Sequence, residues 1–236
     1  MKRNQLMAMA AAAALWAGTA AGQITTNNFS FSVNTAVPDG DWNGLALSEN
    51  LSGMVRPISD VSVTLNLSGG YNGDLYAYLV HDTGFAVLLN RVGLSSSNYF
   101  GYADPGFSSV VFRDTATGDI HFYGGNGGVA LGGAYQPDGR TVNPGTTPAG
   151  DYDAAARSAT LSSFQGVSAN GTWTLFLADL SGGQTSTLAG WDLQIITVPE
   201  PATWALVLLG GLAVVMGRAR WLRRRSSTAT ISWRGC

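Results

Sequence analysis

The clearest pattern along the chain lies at Ile58–Leu67, where Val61, Val63, Leu65 and Leu67 alternate with Ser62, Thr64 and Asn66. A period of two places the apolar set on one face of a strand and the polar set on the other, so this segment predicts a strand with one face in a core and one in water. The alternation recurs in Phe29-Ser30-Phe31-Ser32-Val33. It recurs again in Thr172–Leu177, with Trp173, Leu175 and Leu177 on one face, and in Leu188–Ile196, with Trp191, Leu193 and Ile195. Both tryptophans are therefore expected in the core. Asp74–Val80, Phe85–Leu89 and Ser108–Phe112 are shorter apolar runs that also read as strands. Turn chemistry separates these runs at Val37-Pro38-Asp39-Gly40-Asp41, Gly69-Gly70-Tyr71-Asn72-Gly73, Asp82-Thr83-Gly84 and Asn170-Gly171. Asn72-Gly73 between two alternating runs predicts a hairpin. Many short strands, repeated glycine turns and no helical period indicate an all-β sandwich or jelly roll.

One stretch breaks the pattern. From Arg113 to Thr160 the chain is rich in Gly, Pro, Asp and Ala, with His121-Phe122-Tyr123 as one brief strand candidate. That is long for a loop in a compact domain. It reads either as a surface excursion that carries function or as a disordered one.

The two ends lie outside the sandwich. Lys2 and Arg3, the apolar Leu6–Ala17 and the small residues Ala20-Ala21-Gly22 make a secretory signal peptide over residues 1–22. At the other end Val198-Pro199-Glu200-Pro201 precedes Ala202–Gly217, 16 residues apolar except for Thr203. This is just short of the roughly 17–25 residues that span a bilayer, a deficit that snorkelling arginines can offset. Arg218, Arg220, Arg223, Arg224 and Arg225 follow, and by the positive-inside rule they keep the tail, residues 226–236, in the cytoplasm and everything before Val198 outside it. A domain of residues 23–197 remains. The only cysteine is Cys236, so this domain has no internal disulfide and must be held by its core.

Removing the ends also changes the charge. The whole chain carries a formal −2, but residues 23–197 keep five arginines, no lysine and fourteen acids, a net −9. An acidic exported domain argues against nucleic acid as a partner. It suits hard cations such as Ca²⁺, and equally it suits mere solubility.

The order Pro199-Glu200-Pro201, apolar span, arginine cluster resembles the PEP-CTERM sorting signal of Gram-negative bacteria. The resemblance implies an exosortase-type transpeptidase as partner, which would cut near the motif and pass the protein to the cell surface. The tail Ser226–Cys236 departs from it, since members usually stop at the arginines. A second resemblance covers about Val37 to Ile196. Val37-Pro38-Asp39, Tyr71-Asn72-Gly73-Asp74-Leu75, Leu88-Leu89-Asn90-Arg91, Asn170-Gly171-Thr172-Trp173-Thr174-Leu175, Ala178-Asp179-Leu180 and Thr187-Leu188-Ala189-Gly190-Trp191 resemble the P/Homo B domain. It implies a galactose-binding-like jelly-roll β-sandwich, commonly found after a subtilisin-like protease domain, for which no residues exist between Gly22 and Val37. This chain has Gly69-Gly70 where the family often has His-Thr, and Gly183-Gln184 where it often has Gly-Asp.

Catalytic chemistry finds little purchase. The two histidines, His81 and His121, lie in no metal-ligand spacing, and a Gly-x-Ser-x-Gly elbow is absent. His81-Asp82 reads as a solvated turn, and Gly124–Gly128 as a flexible loop that lacks the Lys-Ser/Thr of a phosphate cradle. Tyr76 and Tyr78 share one strand face; they could stack sugar rings, or both could be buried under a covering loop. Asp39, Asp41, Asp74, Asp104, Asp114 and Asp179 lie at turns or strand ends, where free carbonyls could join them around Ca²⁺. The P-domain resemblance implies structural calcium and favours Asp39, Asp74 and Asp179. The expectation is an exported, non-catalytic module that binds exopolysaccharide or other extracellular matrix, with a proteolysis-related accessory role as the alternative.

Overall fold

The computed structural model describes residues 24–198, 210–216 and 218. The chain divides into two units, one of which is Ile24–Val198. Nine strands are formed in that unit: β1 (Thr25–Ala36), β2 (Leu45–Leu51), β3 (Ile58–Gly69), β4 (Leu75–His81), β5 (Gly84–Asn90), β6 (Gly106–Phe112), β7 (Ala134–Tyr135), β8 (Gly171–Asp179) and β9 (Ser186–Thr197). They make two sheets, ordered β1-β9-β3-β6-β7 and β2-β8-β4-β5. All pairings are antiparallel except β6 with β7.

The period-two pattern explains the layers. In β3 against β9 the pairs Val61–Ile195, Val63–Leu193, Leu65–Trp191 and Leu67–Leu188 are in register. In β4 against β8 the pairs are Ala77–Leu177, Leu79–Leu175 and His81–Trp173. These residues are buried, and all but His81 belong to one hydrophobic core between the sheets. Trp173 and Trp191 are 0% and 1% exposed, as the alternation requires. Trp173 Nε1 donates to the Ala169 carbonyl at 3.1 Å, and its ring stacks on His81 and packs against Phe164.

Two expectations are corrected here, and the stretch left open between two alternatives is described. Asn72-Gly73 does not close a hairpin, because β3 and β4 belong to different sheets. The segment Asn72–Asp74 is a 3₁₀ turn that crosses between them. The buried Asn72 side chain accepts from Gly106 N at 2.9 Å and donates to the Gly106 carbonyl at 3.2 Å, so it takes the place of a strand partner there. Next, His121 opens no strand; Ile120–Phe122 is a 3₁₀ turn whose first residue follows the cap Asp119, which accepts from His121 N at 2.9 Å. Finally, Arg113–Thr160 is packed against the sandwich. It contributes β7 to the first sheet, and its backbone bonds to β5 through Asp138 N to Leu88 O at 3.1 Å and Gly139 N to Val87 O at 2.9 Å.

Residues 1–22, the motif Pro199-Glu200-Pro201 and Arg220, Arg223, Arg224 and Arg225 lie outside the described residues. So does most of Ala202–Gly217, of which 210–216 are helical. Among the described residues no helix is long and apolar enough to cross a membrane.

Candidate functional site

One end of the sandwich gathers the acids. Asp74 ends the 3₁₀ turn just before β4, Asp179 closes β8 one register step from it opposite Leu75, and Asp39 sits in the connection between β1 and β2. The loop from β8 to β9 ties them together. Leu180 N donates to the Asp74 carbonyl at 2.9 Å, and Gly183 N donates to both oxygens of Asp39 at 3.1 and 3.2 Å. Ser186 Oγ reaches Asp179 Oδ2 at 3.3 Å. Room for that hydroxyl comes from Gly70, at φ +65° in the left-handed region, where an added Cβ would stand 1.8 Å from Ser186 Oγ.

Asp179 is fully buried, and its Oδ1 has no hydrogen-bond partner. A buried carboxylate oxygen without a partner is unfavourable, so its surroundings require an explanation. Burial, then the charge of Asp74, push the Asp179 carboxyl up to about 6; Asp39 adds to this, while the Ser181 N–H and the Ser186 hydroxyl oppose it. Asp74 is also raised, first by burial, against the pull of the Ser181 hydroxyl and Arg91 and with the help of Asp39. The fold thus brings together the three acids singled out from the sequence and leaves them electrostatically opposed. Among the described residues no three His, Cys, Asp or Glu side chains are placed to hold a metal by themselves. A cation at this end would draw its remaining ligands from backbone carbonyls.

The other turn acids are committed elsewhere. Asp104 accepts from Asn126 N at 2.7 Å, Gly128 N at 2.8 Å and the Tyr123 hydroxyl at 2.9 Å. With Gly124 N donating to the Tyr102 hydroxyl at 3.2 Å, Gly124–Gly128 is held at three amides, where a flexible loop was expected. Asp114 caps the 3₁₀ turn Leu161–Phe164 by accepting from Leu161 N and Ser162 N. Asp41 accepts from the backbone and side-chain amides of Asn43.

Tyr76 and Tyr78 are half-buried on the outer face of the second sheet. Phe176 from β8 stacks on Tyr78, with ring centroids 4.7 Å apart and planes 14° apart, and the Phe85 ring lies 5.3 Å from that of Tyr78. The aromatic row is thus occupied by its own neighbours.

Both histidines are structural. His81, expected in a solvated turn, is 2% exposed. Its ring nitrogens lie 2.9 Å from the Thr172 carbonyl oxygen and 2.6 Å from that of Ser168. His121 is fully buried, with Nδ1 2.7 Å from Asp138 Oδ2 and Nε2 2.9 Å from the Leu94 carbonyl. Asp138 also pairs with Arg140, which in turn pairs with Asp119 at 2.9 Å. Arg157 Nε donates to the Asp138 carbonyl at 3.0 Å. Tyr152 stacks over His121, and burial pushes its hydroxyl up to about 12. This network, invisible to any spacing rule, is what orders the excursion.

Sequence reading also missed a cleft beside the acid end. Its volume is about 490 Å³, and Tyr71, Asp74, Arg91, Tyr99, Phe100 and Ser181 are among its lining. A second hollow, about 480 Å³, lies on the polar outer face of the first sheet between Asn28, Asp60, Arg113 and Asp192.

No protein-family model matches the chain. No curated protein matches it either. Among solved structures it resembles the serine protease of Aeromonas sobria in complex with the chaperone ORF2, at 14% identity and a TM-score of 0.42. That match covers 75% of this chain and 28% of the other. A second structure of the serine protease of Aeromonas sobria matches at 12% identity and a TM-score of 0.42, over 74% of this chain and 27% of that one. The chain therefore spans little more than a quarter of the length of these proteases. At that TM-score the likeness carries no argument about function.

Proposed function

We propose that the chain is a non-catalytic β-sandwich binding module, of the jelly-roll, galactose-binding-like kind, braced at its acid end by a structural Ca²⁺. The observation that carries this is Asp179: a fully buried carboxylate with one unpartnered oxygen, facing the charges of Asp74 and Asp39. A hard cation relieves both the missing partner and the repulsion. Asp179 would anchor it, with Asp39 and Asp74 as the neighbouring charges; since these three are not placed to hold an ion by themselves, backbone carbonyls would complete the shell, and the ion would supply charge neutralisation that locks the loop from β8 to β9 onto β4. The non-catalytic reading draws support from the histidines. Each has both ring nitrogens engaged and is shielded from solvent, so neither can serve a substrate as general base.

Export, sorting by an exosortase-type transpeptidase, passage through a membrane-anchored precursor and display at the surface or in matrix rest on the two end segments of the sequence. Intact mass of the surface-fraction protein tests that part; retention of Ala202–Arg225 would leave a plain anchor. A second reading, an accessory role in proteolysis, rests on the P/Homo B resemblance of the sequence. Turnover of protein substrates by the purified chain would favour that second reading.

The calcium reading is tested by thermal unfolding of the full-length chain in millimolar Ca²⁺ and in EGTA. An ion at 100 times its dissociation constant stabilises by about 2.7 kcal/mol. The midpoint should rise by several degrees. Superimposable curves, with no metal found in the protein by elemental analysis, would refute it.

A further inference from the structure

We propose that the cleft formed by Tyr71, Tyr99, Phe100, Tyr102, Asp74 and Arg91 binds a neutral pyranose unit of a glycan. This deepens the reading of the chain as a non-catalytic binding module and rests on it.

The aromatic residues are the first observation. Tyr71, Tyr99 and Phe100 are 41%, 67% and 85% exposed, and they gather at one cleft. On the outer sheet face, by contrast, Tyr76, Tyr78 and Phe176 satisfy one another. Exposed rings in a group are characteristic of a surface that meets something. Tyr and Phe present large, stiff contact faces at low entropic cost.

The segment that presents them is held in place. Gly73 N donates to the Tyr102 carbonyl at 2.8 Å, and Tyr102 N donates to Val92 O at 3.0 Å. Asn98 Nδ2 donates to the Gly101 carbonyl at 2.9 Å. Seating is so close that a Cβ on Gly73 would stand 2.5 Å from the Phe100 carbonyl oxygen, and one on Gly93 would stand 2.6 Å from the Tyr102 ring. The cleft is preformed, which lowers the ordering penalty of binding.

The polar groups then select the ligand. Arg91 adopts φ +50°, a left-handed conformation that is strained for a non-glycine residue. Its Nε and Nη1 point to the carbonyls of Gly73 and Pro144 at 3.4 and 3.5 Å, which fixes the guanidinium at the cleft wall. The lining offers one carboxylate, one guanidinium and the Ser181 hydroxyl. Vicinal hydroxyls of a sugar can donate to Asp74 and accept from Arg91 at once, while the C–H face of the ring lies on an aromatic face. Matched single charges disfavour a charged ligand, and the −9 of the domain disfavours an anion further. The volume of about 490 Å³ suits a small-molecule site, which typically spans about 300–1,000 Å³.

The test uses the purified full-length chain on an array of neutral glucose-, galactose- and mannose-based oligosaccharides, followed by calorimetric titration of the strongest binder. A peptide library is screened in parallel. The comparison protein carries Tyr99→Ala with Phe100→Ala; both side chains face solvent, so its melting curve should match the parent. Saturable sugar binding that weakens by about tenfold or more in the double variant supports the proposal. Absence of saturable sugar binding at millimolar concentration overturns it. So does sugar binding with parental affinity in the double variant, and so does a response confined to peptides. Repeating the titration in EGTA separates this site from the calcium reading. Binding that persists while the thermal curves are insensitive to Ca²⁺ sinks the ion and keeps the cleft; a calcium effect on unfolding without sugar binding does the reverse.

Discussion

Replacing Asp179 by Asn isolates the repulsion at the acid end. In the folded chain, burial and the neighbouring charges of Asp74 and Asp39 raise the Asp179 carboxyl from 3.8 to about 6. The folded state therefore holds this proton more tightly than the unfolded state does. Stability from this group is fully present below about pH 4 and is lost as the pH rises towards and through about 6. The difference between the two values corresponds to about 3 kcal/mol, an upper bound for the loss at pH 7 in metal-free protein. Asp74 and Asp60 are raised in the same direction, so the parent curve contains their contributions as well. The informative quantity is the difference between parent and Asp179→Asn. Urea unfolding in EGTA from pH 4 to 8 should show the variant gaining on the parent above pH 6 by about 1–3 kcal/mol, with no gain at pH 4. Parallel pH profiles for the two proteins would refute the reasoning, because they would mean that the Asp179 carboxylate is not opposed in the fold.

Two further changes probe the packing. Trp173→Ala removes a fully buried ring that packs on His81 and Phe164, and should destabilise by about 3–5 kcal/mol in thermal or urea unfolding; an unchanged midpoint would contradict the core assignment. Asp138→Ala strands the buried His121 and Arg140, and should destabilise by about 3–5 kcal/mol, with hydrogen exchange rising first across residues 119–157. Uniform exchange along the chain would show that the network does not order the excursion.

How much was legible follows from where the information lies. The strands with a one-sided burial pattern, β3, β8 and β9, are written in a period of two, and their tryptophans were placed from it. β2 was overlooked because it is an edge strand of its sheet, and Glu49 occupies a position that continues the apolar series Leu45, Leu47. Asn72-Gly73 signalled a turn correctly, but turn chemistry does not say whether the next strand returns to the same sheet. The ordering of 113–160 depends on His121, Asp138, Arg140, Asp119 and Arg157 meeting in three dimensions, and no local pattern encodes that meeting. Asp39, Asp74 and Asp179 were singled out by the P-domain resemblance and lie in a loop, beside the start of β4 and at the end of β8; that Asp74 and Asp39 bear on a buried Asp179 follows from the fold and from no local pattern. Tyr76 and Tyr78 were placed on the correct face, yet only the register with β8 reveals that Phe176 already stacks there. Tyr99 and Phe100 belong to a loop without periodicity, and their grouping with Arg91 depends on the close approach at Gly73.

The central claim is tested most directly by calorimetric titration of Ca²⁺ into the metal-stripped full-length chain at pH 7, beside Asp179→Asn. The account predicts saturable binding of Ca²⁺ by the parent chain and its loss in the variant. Absence of binding by the parent at millimolar Ca²⁺, or undiminished binding by Asp179→Asn, would contradict it.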